Sequence, residues 1–471
     1  MPCCRAIERL VRTPMVDVPE LTLSRAPSLF ERLTTAFQPE PHRPMIADPV
    51  AAQTTLKNLR LQVFTVAFFG YAILYFGRKN ISAALPALAS DLGYLNVEVG
   101  FIGTTLYVTY GLGKFLNGIL ADRANIRRFM ATGLIVSGLI NVAFSSFASL
   151  WFLAFAWGMN GWFQSMGFPP IARAMTLWYP PQGKATRWAL WTCSHQAGTW
   201  AIMAFSAWLL TLGDWRLCFI VPGILCTLAG VAVLLSMPDT PESRGLPSAQ
   251  AFAEAPEQAQ VAYISTLIHS VLLNRNVWIL GLIDLCVYAI RFGTLDWTTK
   301  FLVEHKGYSL GEAAFRAGMM PAAGVVGVLI LGWVCDHVFG GRYRTVNAIC
   351  LAGLGCAMAG FFWIGSDHPY LDLLLMACIG FFVEGPQSIL GGVGAIDAGG
   401  SARVASAAAG LVGILSYFGA SLSGVGTGFC IDHYGWRGAY LFWIAMSVVG
   451  FLLCVFLWRE RPANSGHRST Q

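Results

Sequence analysis

Apolar runs of about 20 residues recur along the chain, and a helix of that length spans the hydrocarbon core of a bilayer. They start near residues 62, 98, 129, 150, 186, 216, 275, 311, 344, 369, 404 and 436, and most begin or end at glycine, proline or charged clusters. The pattern predicts twelve membrane-spanning helices. It is least regular in the fourth and fifth runs, where Pro169, Pro170, Pro180 and Pro181 interrupt the apolar stretch. The longest polar interior stretch, 237–270, begins MPDTPESRGLPSAQ and divides the spans six and six. The expected organisation is a tail over 1–55, a six-helix bundle over 56–236, a linker over 237–270, a second bundle over 271–460 and a tail over 461–471.

Composition agrees with that pattern. The chain is 55% hydrophobic and 12% charged, with mean hydropathy +0.57, whereas soluble domains are roughly a quarter charged. The net charge of +6 is largely a topology signal. With both termini cytoplasmic, tails and cytoplasmic loops hold 22 of the 31 Lys and Arg residues. The outer loops then hold five, Arg216, Lys300, Lys306, Arg316 and Arg437, and four lie inside spans. Positive residues concentrate on the cytoplasmic side of membrane proteins, so no nucleic-acid partner is read from the charge. Ten of the twelve cysteines are scattered singly in or beside apolar runs and none forms a CxxC pair, which predicts small packing residues and neither a metal site nor a disulfide framework. Residues 1–55 contain no apolar core of a signal peptide.

The two halves repeat one another. GILADRANIRR (118–128) returns as GWVCDHVFGGR (332–342), shifted by 214, and Tyr75 with Arg78 returns as Tyr288 with Arg291, shifted by 213. GDWR (213–216) returns as YGWR (434–437), shifted by 221. Duplicated transporters bind their ligand near the midplane, between the halves.

The four cations inside spans are Arg78, Lys79, Lys114 and Arg291. An arginine at the bilayer centre costs roughly 2.5–3.5 kcal/mol on insertion scales, so it is seldom idle. Tyr75 and Tyr71 precede Arg78 by three and seven residues and share its helical face; Tyr288 and Asp284 precede Arg291 by the same intervals. Two guanidinium groups facing one cavity repel unless an anion lies between them, and the planar fork suits a phosphate or carboxylate. The acids that could instead pair with them are Glu384, approaching Arg78 from the other half, and Asp284, within the span of Arg291. Lys79 points away from Arg78, towards the lipid interface, a neighbouring helix or the ligand, and Lys114 faces the cavity. His195, in LWTCSHQAGT, is either an interhelical hydrogen-bonding group or a ligand contact whose charge changes near neutrality.

The turn after the second span, Gly118, Asp122, Arg123, Arg127 and Arg128, fits the G-x-x-x-D-R-x-x-R-R gating motif of the major facilitator superfamily. YFGRKN (75–80), YGLGKFLNGILADRANIRRFM (110–130), LLNRNVW (272–278), IRFGTLDW (290–297), GPQ (385–387) and YFGASLSG (417–424) narrow the likeness. From Leu61 to Trp458 the chain resembles the organophosphate to phosphate antiporters of that superfamily, especially the hexose-phosphate transporters and the related hexose-phosphate sensor. The resemblance implies an all-α membrane protein with two pseudo-symmetric six-helix bundles. It matches Arg78 and Arg291 to the residues that hold the substrate phosphate, and Lys114, His195, Tyr71, Tyr75 and Tyr288 to cavity residues. The chain departs from the family at the fifth span, where Thr192 and Gln196 replace two asparagines and Thr199 a glycine, and in carrying Asp284 and Glu384. These two acids are the candidates for coupling to protons. The expected function is exchange of an organic phosphate, such as a hexose 6-phosphate or glycerol 3-phosphate, for inorganic phosphate across the cell inner membrane, without enzymatic activity, cofactor or metal. The alternatives are a sensor of external hexose phosphate that signals to a histidine kinase, and a proton-coupled carrier of another organic anion.

Overall fold

The computed structural model describes residues 37–121, 124–180, 184–247, 268–340, 342–364, 368–389 and 405–458, and these are helices and connecting loops. Eight helices among them are long and apolar enough to cross a membrane. The last, within Ala405–Trp458, is two crossing legs separated at Gly435, whose φ of 63° breaks the helix; glycine takes this left-handed conformation without steric cost. Asn96–Ala121, the pair Leu150–Gln164 and Phe168–Trp178, and Lys184–Leu212 complete the twelve spans. The break in the fourth span, at residues 165–167, comes just before Pro169 and Pro170. The first helix begins at Pro49, earlier than the apolar run alone indicates, because Asp48 caps it by accepting from the Val50 amide at 2.9 Å. Outward-facing positions are apolar, among them Trp151, Phe155 and Leu235, while arginine, lysine and asparagine turn inward, as a lipid solvent demands.

The first span is broken in its middle. Pro49–Leu74 ends and Phe76–Leu92 begins around Tyr75, immediately before Arg78. Its repeat partner, Arg275–Glu304, carries Tyr288 and Arg291 on one continuous helix. A break inside a membrane needs internal partners for backbone groups. Gln164 Nε2 donates to the Leu74 carbonyl at 2.9 Å, and Asn141 Nδ2 and Asn160 Nδ2 donate to that of Gly77 at 2.9 and 2.8 Å. Asn80 continues the network, donating to Asn141 Oδ1 at 2.9 Å and to the Cys218 carbonyl at 2.8 Å. A belt of buried amides from the third and fourth spans thus fixes the direction in which Arg78 leaves the helix.

The two bundles meet along a seam at the membrane side remote from the linker. Asp432, at the end of the eleventh span, caps the second: its Oδ1 accepts from the Asn96 amide at 3.1 Å and Nδ2 at 2.7 Å, and its Oδ2 accepts from the Val97 amide at 2.7 Å. Gly100 and Gly424 pack so closely that a Cβ on Gly100 would lie 2.3 Å from the Gly424 carbonyl oxygen. Thr104 Oγ1 donates to the Ser421 carbonyl at 2.8 Å. On the linker side a different knot ties the first bundle to itself. Asp239 Oδ1 accepts from the Ile126 amide at 2.8 Å, while its Oδ2 accepts from Asn125 and from the Glu40 amide. Glu40 also pairs with Arg127 at 2.5 Å. Arg127 therefore anchors residues of the preceding tail; Arg128 lies in the first turn of the third span, Gly118 lies on the second, and Asp122 and Arg123 fall outside the described residues.

Asn141→Ala removes one of the two side-chain donors to the Gly77 carbonyl and one of the two acceptors of Asn80 in an apolar interior. Leaving buried partners unsatisfied costs about 1–3 kcal/mol, so the melting temperature of purified protein falls, while Ala substitution of the lipid-facing Leu235 leaves it nearly unchanged.

Candidate functional site

Nearest the seam, Lys79 and Asp296 join the two halves. Lys79 is 1% exposed and its Nζ lies 2.7 Å from Asp296 Oδ1. The same oxygen accepts from Ser82 Oγ at 2.6 Å. Tyr107 accepts from Lys79 Nζ at 2.9 Å and donates its hydroxyl proton to Asp296 Oδ2. Every polar atom of the carboxylate is thereby satisfied, which is the condition for an ion pair to be tolerated away from water. Lys79 points away from Arg78, as its helical position predicts, and it meets a partner in the opposite bundle.

One layer towards the linker side lie the two arginines. Both guanidinium carbons approach the Phe292 ring, Arg78 at 6.0 Å and Arg291 at 5.0 Å from its centroid, with Lys79 Nζ at 4.5 Å. Their settings differ. Arg291 Nε donates to Glu384 Oε1 at 2.6 Å, and both residues are buried. Arg78 is 3% exposed, its Nε and Nη2 have no hydrogen-bond partner, and it lies 4.0 Å from the Tyr110 ring and 5.4 Å from that of Tyr75. Cation–π contact offsets some of the desolvation cost, and the two donors remain open.

Neither of the two alternative pairings that the sequence left open is formed. Glu384 belongs to Arg291 and not to Arg78, because the tenth span packs against the eighth with the Glu384 side chain set over Gly324, within its own half. Asp284 is not the partner of Arg291. Seven residues separate them, about 10 Å of rise along one helix, and Asp284 Oδ2 instead accepts from Ser416 Oγ on the eleventh span.

The third layer continues the same face. Lys114 Nζ lies 5.0 Å from the Phe168 ring and 5.5 Å from that of Tyr417, within electrostatic reach of Asp284. Tyr288 accepts from Gln387 Nε2 at 3.3 Å and packs on Tyr417 and Phe292. Tyr71 packs edge-on against Tyr75 and at a tilt against Trp191, and His195 lies 5.6 Å from the Tyr75 ring. His195 is 8% exposed and its carbonyl accepts from Thr199 Oγ1 at 2.7 Å. The substitution at 199 thus has a local use within the fifth helix.

Arg78, Arg291, Lys114, His195 and the three tyrosines therefore converge on one interior region, with Asp284 and Glu384 on its second-half wall. Residues that the sequence reading missed are Asp296, Tyr107, Tyr110, Phe292 and Tyr417. Signals existed: Asp296 is an acid inside the seventh apolar run, and Tyr107, Tyr110 and Lys114 are spaced by three and four, one helical face of the second span.

The profile described as Major Facilitator Superfamily matches residues 67–423. A protein of Chlamydia pneumoniae named "Probable hexose phosphate transport protein" is 33% identical over 92% of this chain and 98% of its own. The "Membrane sensor protein UhpC" of Salmonella typhimurium is 33% identical over 89% of this chain and 96% of its own. Among solved structures, a bacterial homologue of the human lysosomal transporter Spinster, inward-facing and unoccupied, matches with a TM-score of 0.70 at 17% identity, covering 86% of this chain and 99% of that one.

Opening the seam separates Lys79 from Asp296. Removing one partner of a buried pair costs about 3–5 kcal/mol, so Asp296→Asn destabilises the closed seam. Spin labels at Leu95 and Tyr434, both exposed beside it, with native cysteines replaced, will show a second, longer distance population. An unchanged distribution counts against a latch at Lys79.

Proposed function

The chain belongs to the Major Facilitator Superfamily, a multi-pass membrane protein, and on that premise we propose that it carries organic phosphates by exchange with inorganic phosphate. The observation that carries this reading is the open side of Arg78: a permanently charged fork, almost wholly buried, with two donors unmet and aromatic rings around it. A phosphoryl group supplies the acceptors and the charge that such a site lacks. Lys114 stands behind it as further positive charge, Arg291 is held beside it by Glu384, and Tyr71, Tyr75 and Tyr288 offer hydroxyls and walls. The lysine and arginine bias supports a linker side that faces the cytoplasm of the inner membrane, so that the seam closes the cavity to the outside.

Exchange follows from the cost of the empty state. If two arginines lacked partners, the closing carrier would strand roughly 5–7 kcal/mol of uncompensated charge on the insertion scale. Glu384 neutralises Arg291, so only Arg78 is left, at about 2.5–3.5 kcal/mol. That energy still disfavours the empty transition about 100-fold, at roughly 1.4 kcal/mol per factor of ten. The loaded carrier escapes the penalty because the phosphate supplies the missing anion.

A sensor is the second reading, favoured by the similarity to a protein named as a membrane sensor; its partner would be a membrane histidine kinase. Uptake separates the two. In proteoliposomes loaded with inorganic phosphate, labelled glucose 6-phosphate or glycerol 3-phosphate accumulates, and Arg78→Lys abolishes accumulation because a point charge cannot replace the fork. Binding without uptake in the wild-type protein makes it a sensor.

Glu384→Gln exposes the second guanidinium. Uptake into vesicles without internal phosphate, relative to loaded vesicles, then falls by up to about 100-fold more than in the wild-type protein, from the same insertion cost. If proton coupling runs through Glu384, the pH profile of uptake flattens in this variant; an unchanged profile removes that role.

A further inference from the structure

The interior wall is polarised between the two halves. On the first half, Arg78 holds two unpartnered donors. On the second, Asp284 Oδ1 and Glu384 Oε2 are buried acceptors without a hydrogen-bond partner, on residues 1% and 4% exposed. Each acid is half used: Ser416 occupies the other oxygen of Asp284, and Arg291 the other oxygen of Glu384. A carboxylate oxygen buried without a donor costs free energy, and two on one wall, opposite an unmet guanidinium, describe a ligand with an anion at one end and a proton-bearing group at the other.

Charge narrows the second group. The pairs Lys79–Asp296 and Arg291–Glu384 cancel. Arg78, Lys114 and Asp284 then leave a formal sum of +1 among the described residues. A phosphate monoester carries about −1.5 to −2 near neutral pH, so it would leave the closed site negative. A sugar hydroxyl could donate to Asp284 but would not correct that imbalance, whereas an ammonium group does both.

We propose that the preferred ligand is a phosphate monoester that also carries a protonated amine, its phosphate on Arg78 and its ammonium on the second-half wall, in the field of the vacant Asp284 and Glu384 oxygens. This deepens the organophosphate reading and rests on it. Asp284 and Glu384 are then specificity residues, and the ligand joins the halves, drawing its anion site from one bundle and its cation site from the other.

The test is competition against exchange of labelled inorganic phosphate by reconstituted full-length protein. Glucosamine 6-phosphate, N-acetylglucosamine 6-phosphate and glucose 6-phosphate differ at one position, as ammonium, neutral amide and hydroxyl. The amine is expected to compete at least about 10-fold more strongly than the other two, one factor of ten being a modest share of a charge-assisted contact. In Asp284→Asn, and separately in Glu384→Gln, the amine-to-hydroxyl ratio collapses towards one; because each measurement is a ratio within one variant, a loss of total activity does not imitate it. Equal competition by glucose 6-phosphate in the wild-type protein overturns the proposal, as does a ratio that survives both substitutions. If none of the three esters competes, the organophosphate reading itself falls.

Discussion

No water reaches the middle of a bilayer to repair a missing hydrogen bond or screen a charge, and the central layer of this protein is organised by that constraint. The break at Tyr75 turns Arg78 out of the first span, and it is tolerable because Gln164, Asn141 and Asn160 take up the nearby carbonyls. The direction of one guanidinium therefore depends on three amides from two other helices. Removing water makes such contacts strong, and equally makes any gap in them costly.

The same constraint sorts the buried charges by task. Lys79 with Asp296 is a closed set, with hydroxyl partners on both oxygens, and it spans the two halves. Arg291 with Glu384 is closed on one side only, and lies within one half. Arg78 has rings and no acid. In order, these suit a latch between bundles, a charge held in reserve, and a docking point. Because all three surround Phe292, a ligand arriving at Arg78 acts within a few ångströms of the pair that holds the seam. Occupancy and closure are thereby placed close enough to influence each other through the field alone.

The seam adds a second kind of coupling. Asp432 caps the second span from the opposite bundle, so a helix end that would otherwise present unsatisfied amides is complete only while the halves touch. Gly100 and Gly424 permit the contact by having no side chains to hold the helices apart. The knot of Asp239, Asn125 and Glu40 on the linker side makes no such demand, since its members belong to the first bundle, the tail before it and the start of the linker after it.

Much of this was legible in the chain. Apolar run length located eleven of the twelve span starts within a few residues, the 213-residue offset paired Arg78 with Arg291, and helical spacing placed Tyr71, Tyr75 and Tyr288 with them. These are one-dimensional properties, fixed by bilayer thickness and helical period. Partner choice was not legible in this way. That Glu384 takes Arg291, that Asp284 takes Ser416, and that Lys79 finds Asp296 217 residues away depends on how helices cross and which faces meet. The repeat predicted a symmetry that the structure breaks at Tyr75, because among the described residues the amide belt is brought to the opening helix of the first half alone. The sequence by itself determined which charges enter the membrane; the tertiary structure decided which of them are already satisfied, because pairing is set by distances between helices.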